Sequence, residues 1–357
     1  MSIALSIQSS IHDYQVWIEE DTSFLDRLAD SSRTSFVIDE NVWNIYAKTL
    51  LNKIPKDQTI VLPISEDRKN LDTVQELYDQ LVNLTAKRNL TIISIGGGIL
   101  QDITGFVAST IYRGVNWIFV PTTLLAQADS CVGSKTSLNY KSFKNLIGTF
   151  YPPMSIHIFP HFVQTQLTSD FYSGIGEVVK LHLMGGQIYF HDLMEQFPQL
   201  FERDENVLYK VIQQSLKVKL SFMAGDEFDK GRRNLLNYGH DFGHAVESTS
   251  NFAVPHGQAV IFGMLAANSV AQKRGVLEES FEKEMAESLL LPSLVIKPSY
   301  EALEIDSMIN ALKKDKKRSG DNFALVMMTN NFDLKLVNDL SANEISQTLQ
   351  TLQKRLL

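Results

Sequence analysis

The chain has 357 residues, of which 44% are hydrophobic and 21% charged, so it can bury a sizeable core and is long enough for two domains. Its net charge of -8 argues against a surface for nucleic acid or for an anionic membrane, since either needs a basic excess. The only cysteine, Cys131, excludes an intramolecular disulfide. The N-terminus has no secretory leader pattern, and no window is apolar over the roughly 18 residues of a membrane span, so we expect a cytoplasmic protein.

Residues 1–160 alternate short β-rich runs with helical ones. The runs that predict strands are 16–18, 35–38, 60–62, 92–95 and 117–120, and residues 70–88 have helical periodicity. Strands that alternate with helices predict a parallel sheet covered on both faces, in which ligands collect at the carboxyl ends of the strands.

Residues 161–357 have a different pattern, dominated by long helical segments such as 207–224, 257–273 and 279–290. Near the end, 323–328 and 334–337 predict a small hairpin before a last helix from Ala342 onward. The predicted fold class is therefore α/β plus α, with an α/β domain at 1–160, a mainly helical domain at 161–357, and the active site in the cleft between them.

Three of the 8 histidines fall in one short window. His240 and His244 are four residues apart and share a helix face, while Pro255 and Gly257 predict a chain reversal that could bring His256 back toward them. A single histidine is more often a core or capping residue, but three in this arrangement favour a metal site. Imidazoles with a carboxylate suit zinc, and three protein ligands leave one position open for catalysis.

The carboxylate for such a site must come from elsewhere in the chain. A metalloprotease helix has glutamate directly after its first histidine, but Asp241 follows His240 here, so that class is not supported. Glu177 is the candidate, because it lies three residues before Lys180 in an otherwise apolar helical segment. The alternative for Glu177 and Lys180 is an ordinary helix ion pair.

A glycine-rich turn at 95–102 follows a predicted strand and opens a predicted helix, where backbone N–H groups and the helix dipole favour a pyrophosphate. The dinucleotide fingerprint requires a further glycine where Gln101 stands, so a plain strand-to-helix turn is the alternative. Asp39 and Asn41, just past an earlier strand, suit either ribose hydroxyls or a turn with a helix N-cap.

Several cations follow these segments. Lys135, Lys144 and Asn145 come after a strand end at 121–130 and flank a candidate anion site, although loop lysines are usually only solvated. Lys219, Arg233 and Asn237 lie upstream of the histidines, and Arg233 suits a bidentate grip on a carboxylate or phosphate. If that segment is helical, Arg233 and Asn237 face the same way.

Taken in order, these motifs resemble the 3-dehydroquinate synthases and the wider sugar phosphate cyclase family. The resemblance runs from about Asp39 to Lys317 and rests on Gly-Gly-Gly-x-x-x-Asp, Arg-Gly, Pro-Thr-Thr-Leu-Leu-Ala-Gln-x-Asp-Ser, Lys-Asn-x-Ile-Gly, Gly-Glu-Val-x-Lys and Asn-x-Gly-His-x-x-Gly-His-Ala. It implies a homodimer with a Rossmann-like NAD-binding domain, a helical metal-binding domain and a small sugar phosphate as substrate.

The resemblance also implies residue roles. The metal ligands would be Glu177, His240 and His256, while His244 would transfer a proton at the leaving phosphate, which corrects the idea that both helix histidines bind metal. Ring hydroxyls would be held by Asp129, Lys180 and Lys219. The phosphate end would be served by Lys135, Asn145 and Asn237, the substrate carboxylate by Arg233, and the partner's site by Arg113. The cofactor would be lined by Asp39, Asn41, Glu66, Lys69, Gly97, Gly98, Asp102, Thr122, Thr123, Lys144 and Thr165.

The implied reaction converts 3-deoxy-D-arabino-heptulosonate 7-phosphate to 3-dehydroquinate and phosphate, a step of the shikimate pathway to aromatic amino acids. It proceeds by transient oxidation by NAD, β-elimination of phosphate, reduction and intramolecular aldol closure. Zinc, with Co²⁺ as the alternative metal, would acidify the alcohol that is oxidised, and NAD would not be consumed.

Some positions depart from the family pattern. Gln101 and Ser134 replace glycines, Asp229 replaces glutamate, and Phe143 precedes the Lys-Asn pair. Ala324 stands where a basic residue near the phosphate is expected, although Lys316, Lys317 and Arg318 are close in sequence.

Three alternatives follow. A cyclase for another sugar phosphate, such as sedoheptulose 7-phosphate, would share most of the motifs, but Arg233 favours an acidic substrate because a desolvated arginine needs an anion to bind. A metal- and NAD-dependent alcohol dehydrogenase would accumulate NADH. A non-catalytic binding protein derived from the same fold would take up no metal.

Overall fold

The computed structural model of the chain describes residues 3–30, 33–84, 89–141, 143–314 and 322–356. Lys316, Lys317 and Arg318, considered above as cations for the phosphate, lie outside these residues. The chain divides into two compact units, Met1–Gln166 and Leu167–Leu357. The sequence placed this boundary between residues 160 and 161.

The first unit is built on a seven-stranded sheet. Its strands are β1 (Ile3–Ile7), β2 (Tyr14–Ile18), β3 (Thr34–Asp39), β4 (Thr59–Leu62), β5 (Thr91–Gly96), β6 (Asn116–Pro121) and β9 (Ser155–Ile158), and a separate hairpin is formed by β7 (Lys135–Tyr140) and β8 (Phe143–Phe150). The spatial order is β1-β2-β9-β6-β5-β3-β4, and all pairings in the sheet are parallel except that of β1 with β2.

Four helices accompany the strands of this unit: α1 (Ser23–Ala29), α2 (Glu40–Tyr46), α3 (Leu71–Asn83) and α4 (Gly98–Thr110). Side chains along β3 and β5 are buried on both faces, as expected for a parallel sheet covered by helices. On one face, Phe36 and Ile38 of β3 pack with Phe24 and Leu25 of α1 in the core of the unit.

The order of strands locates a ligand crevice in this unit. From β3 the chain runs to β4 on one side and then to β5 on the other, so the strand order reverses beside β3. Ligands of open α/β sheets bind outside the carboxyl ends of the strands at such a point. Those ends are Asp39 of β3 and Gly96 of β5, and a Cβ on Gly96 would lie 3.2 Å from the Asp39 Cβ.

The second unit is mainly helical and is organised around one buried helix, α9 (His256–Lys273), whose residues from Gly257 to Ala271 are all buried. A helix that is apolar on every side must be covered on every side. It packs against α5, α8, α13 and β10. The other elements of the unit are α5 (Thr168–Met184), α6 (Gln187–Phe201), α7 (Glu205–Met223), α8 (His240–Thr249), α10 (Glu279–Met285), α11 (Leu291–Ser293), α12 (Ile305–Lys314), β10 (Phe323–Met328), β11 (Leu334–Leu340) and α13 (Ala342–Leu356).

The predicted fold class is confirmed, with differences in detail. All five predicted strands of the first unit are present, but the sheet also contains β9 and an antiparallel edge strand, β1, which the sequence did not indicate. The helix predicted at 70–88 ends at Asn83, and the one predicted at 279–290 ends at Met285 and continues as a π-helical turn. Among the described residues, no helix has both the length and the apolar character needed to cross a membrane.

Candidate active site

Helix α5 of the second unit presents a carboxylate and an ammonium group on one buried face. Glu177 is fully buried and Lys180 is 2% exposed, and the Lys180 Nζ lies 2.5 Å from the Glu177 Oε2. The other carboxylate oxygen, Oε1, lies 3.5 Å from the His240 Nε2 and 3.2 Å from the His256 Nε2. One oxygen of the Glu177 carboxylate therefore contacts an ammonium group, and the other contacts two imidazoles.

These donor atoms fit a metal ion. Zinc bound by nitrogen and carboxylate oxygen at about 2.0–2.1 Å in a tetrahedron requires ligand atoms about 3.3–3.4 Å apart. The two separations from the Glu177 Oε1, 3.2 and 3.5 Å, bracket that value. Glu177, His240 and His256 form one of the groups of ligand atoms compatible with a metal among the described residues.

The second nitrogen of each imidazole is also occupied. The His240 Nδ1 lies 3.3 Å from the Tyr238 carbonyl oxygen, and the His256 Nδ1 lies 3.0 Å from the Glu247 Oε2. Both partners are acceptors, so each Nδ1 donates a hydrogen bond outward, and the Nε2 of each ring is the nitrogen that faces Glu177 and would bind a metal once it is deprotonated. Metal-binding histidines have this arrangement, in which an outer acceptor fixes the tautomer.

The local charges favour an ionised carboxylate at this position. Burial disfavours the charged form of Glu177, but Lys180 and the two imidazoles outweigh burial and hold the pKa of Glu177 well below its usual range. Burial and the charge of Lys180 together lower the pKa of His240 well below its usual value. Burial also opposes protonation of His256, but its contacts with Glu177 and Glu247 prevail and raise its pKa to about 10.

Close helix contacts bring these three side chains together. A Cβ on Gly176, next to Glu177, would fall 2.1 Å from the Gly257 carbonyl oxygen, and a Cβ on Gly257, next to His256, would fall 1.8 Å from the Ser173 carbonyl oxygen. The Gly257 N–H donates to the Ser173 Oγ at 2.9 Å. Only glycines allow α5 and α9 to approach this closely.

The start of α8 depends on a similar contact. Gly239 has φ +81°, and a Cβ there would lie 2.6 Å from the Val260 carbonyl oxygen of α9. His240 is the first residue of α8, so the turn at Gly239 sets the direction from which this imidazole approaches Glu177.

His244 lies one turn further along α8 and is exposed. Its ring centroid is 5.4 Å from that of His240 and 6.0 Å from that of His256. With Glu247 and His256 it forms a second group whose ligand atoms lie within 4.8 Å of one another. An exposed imidazole beside the proposed metal ligands is placed to exchange protons with a substrate.

The cations predicted upstream of the histidines also lie in the second unit. Lys219 is buried near the end of α7, and Arg233 is buried in a 3₁₀ segment, Arg232–Asn237. The expectation that Arg233 and Asn237 share a helix face is wrong, because a 3₁₀ helix has three residues per turn. Asn237 is only partly buried, whereas Arg233 is buried.

A carboxylate organises the loop that carries Arg233. The Asp226 side chain accepts hydrogen bonds from the backbone N–H groups of Lys230, Gly231 and Arg233 at 2.7, 2.8 and 2.9 Å. These backbone hydrogen bonds lower the pKa of Asp226. The Arg233 guanidinium itself donates to the Glu227 carbonyl oxygen.

In the first unit, the glycine-rich turn fits a nucleotide. Gly97 precedes the first turn of α4, where a Cβ would lie 3.0 Å from the Thr123 Cγ2, and a Cβ on Gly98 would lie 3.2 Å from the Ser130 Oγ. The glycines therefore let Thr123 and Ser130 pack close to the start of α4, where backbone N–H groups favour a phosphate. The Thr122 N–H donates to the Gly96 carbonyl oxygen at 2.9 Å and so joins the ends of β5 and β6.

The remaining cofactor candidates lie at the same sheet edge or next to it. Asp39 caps α2, since its Oδ1 accepts from the Asn41 N–H at 2.8 Å, and burial raises its pKa. Asp39 is therefore a helix N-cap, as one of the two interpretations of this turn predicted. Thr165 shares a 2.7 Å hydrogen bond with the Tyr46 hydroxyl.

A polar network joins three of the predicted residues. The Lys69 Nζ lies 2.5 Å from the Asp102 Oδ2 and donates to the Asn145 Oδ1 at 2.7 Å. Burial raises the pKa of Asp102 in spite of this ammonium group. Asn145, predicted at the phosphate end of the substrate, thus lies with residues predicted to line the cofactor. Glu66 is linked to the same hairpin through Asn139, whose Nδ2 donates to the Glu66 Oε1 at 2.8 Å.

The last group of predicted residues occupies strand ends and exposed positions of the first unit. Asp129 is partly buried in a π-helical segment, Ala126–Ser130, of a kind frequent at functional sites. Lys135 and Lys144 are exposed on β7 and β8, and Arg113 is exposed with φ 69° after α4.

Three residues that depart from the family pattern have clear environments. The Gln101 Nε2 donates to the Ser130 carbonyl oxygen at 2.8 Å and its Oε1 accepts from the Ser130 Oγ at 3.0 Å, so Gln101 fastens the Asp129 segment to α4. Ser134 has φ 62°, which explains why glycine is favoured there. Ala324 lies in β10 at a register shift between Phe323 and Leu325.

Sequence reasoning missed Glu247, Asp226 and the link between Gln101 and Ser130. Glu247 was detectable, since it lies seven residues after His240 and three after His244, which completes the spacing i, i+4, i+7 along one face of α8. Asp226 offered no such signal, because its partners are backbone N–H groups whose positions depend on the loop. Ser130 offered none either, because its partner, Gln101, is distant in sequence.

Comparison with known protein families, relatives and solved structures shows which proteins this chain is similar to. Residues 59–173 and 174–318 match the N-terminal and C-terminal models of 3-dehydroquinate synthase. The 3-dehydroquinate synthase of Campylobacter curvus (strain 525.92) is 32% identical over 98% of this chain and 99% of its own length. A 2-epi-5-epi-valiolone synthase from Streptomyces hygroscopicus subsp. jinggangensis 5008, solved with NAD+ and Zn2+, is 25% identical with a TM-score of 0.85 over 98% of this chain and 99% of its own.

A 2-deoxy-scyllo-inosose synthase, solved with carbaglucose-6-phosphate, NAD+ and Co2+, shares the fold at 21% identity and a TM-score of 0.82, over 98% of this chain and 100% of its own. The family models, together with the fold, define a member of the sugar phosphate cyclases. Within that class, the chain belongs to the 3-dehydroquinate synthase family.

Proposed function

We propose that this chain converts 3-deoxy-D-arabino-heptulosonate 7-phosphate to 3-dehydroquinate and phosphate, with NAD and a divalent metal, zinc or cobalt, as cofactors. The observation that carries the proposal is the convergence of Glu177, His240 and His256 on a common point in a chain of this family. When bound, the metal would supply Lewis acidity at a secondary alcohol, and NAD would accept and return a hydride.

The residues of the second unit have separable tasks in this proposal. Glu177, His240 and His256 hold the metal, and Lys180 keeps Glu177 ionised through its 2.5 Å contact while it also binds a ring hydroxyl. His244, which is exposed, moves a proton at the leaving phosphate oxygen. Other groups assigned to the substrate are Lys219 and Asn237, and from the first unit Asp129 and Lys135.

Binding of NAD would rest on the first unit. Asp39 and Asn41 lie at the end of β3, Gly97 and Gly98 open α4, and Thr122 and Thr123 end β6, all at the edge where dinucleotides bind in such sheets. The other residues assigned to the cofactor are Glu66, Lys69, Asp102, Lys144 and Thr165. For Asn145, the contact with Lys69 favours a part in this network over direct contact with the substrate phosphate.

Arg233 favours the acidic substrate. Its side chain is 5% exposed, and a buried guanidinium is suited to a bidentate contact with a carboxylate. A cyclase for a neutral sugar phosphate has no need of this group. The second candidate, a cyclase acting on sedoheptulose 7-phosphate, is favoured only by Ala324, which removes an expected cation.

The proposal is tested by measuring phosphate release from 3-deoxy-D-arabino-heptulosonate 7-phosphate by the purified protein with NAD and zinc, while NADH absorbance is followed. We expect phosphate release without accumulation of NADH, and loss of release on adding a chelator. NADH accumulation with a simple polyol and no phosphate release would contradict the proposal in favour of an alcohol dehydrogenase.

We further propose a cytoplasmic homodimer acting in the shikimate pathway, with Arg113 reaching the partner's site. The exposure of Arg113 and the single cysteine, Cys131, support this proposal. Mixing an inactive Arg113→Ala chain with an inactive His244→Ala chain should restore activity if sites are shared between subunits. A monomer by light scattering would contradict the proposal.

A further inference from the structure

Glu247 is a buried carboxylate to which neither the motifs nor the proposed reaction gives a role. It lies on α8 and is 6% exposed. Its position, seven residues after His240 and three after His244, puts it on the histidine face of the helix. A buried carboxylate is costly unless it is paired, so its contacts indicate what it does.

The partner of the Glu247 carboxylate is the ring of His256. The Glu247 Oε2 accepts from the His256 Nδ1 at 3.0 Å, and on the other side of the ring the His256 Nε2 lies 3.2 Å from the Glu177 Oε1. The imidazole is thus held between two carboxylates on opposite nitrogens. Because the Glu247 carboxylate accepts the hydrogen bond of the Nδ1–H, the Nε2 is the nitrogen left to face the point where the three proposed ligands meet.

The backbone of Glu247 also helps to form the turn that leads from α8 to His256 at the start of α9. The Glu247 carbonyl oxygen accepts from the Phe252 N–H at 2.8 Å and from the Ser250 Oγ at 3.2 Å. Within this turn, Asn251 and Phe252 have φ of 50° and 62°, in the left-handed region that non-glycine residues rarely adopt. A strained turn persists only where the surrounding contacts hold it, and such turns cluster at functional sites.

We propose that Glu247 is a positioning residue for the metal, which fixes the tautomer and the ring orientation of His256 while its backbone closes the turn between α8 and α9. The inference rests on the metal site of the proposed function. It assigns Glu247 to the layer outside the three ligands, because its Oε2 accepts from the His256 Nδ1 while the His256 Nε2 faces the Glu177 Oε1.

The test compares zinc affinity in Glu247→Ala, Glu247→Gln and the matched control Ser248→Ala, which changes an exposed neighbour on the same helix. Affinity is measured by competition with a chromophoric chelator, and the visible spectrum of the Co²⁺ form reports ligand geometry. Folding of each variant is checked by its thermal transition. None of these readouts requires a sugar phosphate.

We expect Glu247→Ala to weaken zinc binding by about 10- to 100-fold and to alter the Co²⁺ spectrum, as removal of an outer carboxylate from a metal-bound histidine does. Glu247→Gln should stay close to the wild type in both readouts, because an amide oxygen still accepts from the Nδ1. Ser248→Ala should be unchanged.

Two results would overturn the inference. A folded Glu247→Ala protein with wild-type zinc affinity and spectrum would reduce Glu247 to a loop-stabilising role. Loss of metal in Glu247→Gln, as complete as in His240→Ala, would make Glu247 a ligand itself, in the group with His244. A wild-type protein that binds zinc but releases no phosphate would refute the proposed function and leave this inference standing.

Discussion

At the scale of single residues, Arg233 is the side chain on which the proposal of an acidic substrate depends. Its backbone is held by Asp226 and its guanidinium is buried, so its direction is set before any substrate arrives. A preorganised guanidinium loses little side-chain freedom on binding a carboxylate, so we expect Arg233 to discriminate against sugar phosphates that have no carboxylate.

Replacement of Arg233 tests that role. Arg233→Ala should raise KM for the acidic sugar phosphate by about 10- to 100-fold, the value of a charge-assisted contact of about 1.5–3 kcal/mol, with a smaller effect on kcat. Arg233→Lys should be intermediate, because it keeps the charge without the bidentate geometry. The matched control is Arg232→Ala, whose guanidinium lies 4.8 Å from the centre of the Phe222 ring and should leave KM unchanged. An unchanged KM in Arg233→Ala would remove the argument for an acidic substrate.

The residue scale also shows what spacing within one helix predicts. The four-residue spacing of His240 and His244 correctly placed both on one face of α8. That spacing could not tell which of the two would meet Glu177, because the answer depends on α5. The structure brings Glu177 to His240 and His256, while the assigned roles of the individual residues stay predictions until they are tested.

At the scale of elements, the contact of α5 with α9 holds the candidate metal ligands in register. Gly176 and Gly257 each face backbone of the opposite helix, and each immediately precedes Glu177 or follows His256. The ligand cluster is thus a consequence of backbone packing between helices distant in sequence. No pattern within either helix reveals this distance, which is why the sequence predicted the carboxylate but not its geometry.

The variant Gly257→Ala tests this packing. A Cβ 1.8 Å from the Ser173 carbonyl oxygen must force α5 and α9 apart, which should cost at least about 1–3 kcal/mol of stability and weaken zinc binding. The control is Gly275→Ala, beyond the other end of α9, where φ is +69° and no atom lies within 4 Å of the new Cβ. It should cost about 1 kcal/mol of backbone strain and leave zinc affinity intact. Equal zinc affinity in both variants, measured by chelator competition, would contradict this account.

A second contact at this scale ties the end of α9 to α13 and predicts a dependence on pH. The Arg274 Nε and Nη2 donate to the Glu344 Oε1 and Oε2 at 2.7 and 3.0 Å, and mainly this contact lowers the pKa of Glu344 to about 2. A carboxyl whose pKa is lowered by folding stabilises the fold above its unfolded pKa of about 4.5, and this stabilisation is lost as the pH falls toward 2.

Glu344→Gln should therefore lower the free energy of unfolding by about 1 kcal/mol at pH 7, after allowance for solvent screening of a partly exposed pair. The difference from the wild type should shrink below pH 4.5, as measured by urea unfolding at pH 7 and pH 3.5. Glu287→Gln, which removes an exposed pair 3.9 Å from Lys283, is the control and should show no difference at either pH. A deficit for Glu344→Gln that is equal at both pH values would contradict the assignment.

Elements with strong local signals were predicted, and those without them were not. Strands β3 and β5 were predicted because a short run of β-branched and aromatic residues has few alternatives to a buried strand. The hairpin of β7 and β8 was missed because its second strand is mostly exposed and mixes polar with apolar residues. Its pairing is decided by Asp102 and Lys69, which hold it through Ser137 and Asn139.

At the scale of the whole molecule, the chain combines a nucleotide crevice in one compact unit with a candidate metal cluster in the other. The family, the fold class and the likeness to cyclases solved with NAD+ and Zn2+ or Co2+ agree with what the ordered motifs indicated. The whole-chain resemblance succeeded because each motif corresponds to a backbone feature: a glycine turn, a strand end or a close helix contact.

Removal of the metal should destabilise the molecule, because the proposed ligands come from three helices, α5, α8 and α9. Zinc at 100 times its dissociation constant would add about 2.7 kcal/mol of stability to the folded state. Calorimetry should show a lower transition temperature after treatment with a chelator and its recovery on adding zinc. His240→Ala should show no response to zinc, and a wild-type transition insensitive to both treatments would contradict the metal site.

The most direct test of the central claim is the ratio of kcat/KM for phosphate release from 3-deoxy-D-arabino-heptulosonate 7-phosphate and from sedoheptulose 7-phosphate, measured side by side on the wild-type protein with NAD and zinc. We predict that the acidic substrate is favoured by at least about 10- to 100-fold, the contribution of the Arg233 contact. A ratio that favours sedoheptulose 7-phosphate, which has no carboxylate, would contradict the account and would identify the chain as a cyclase of different specificity.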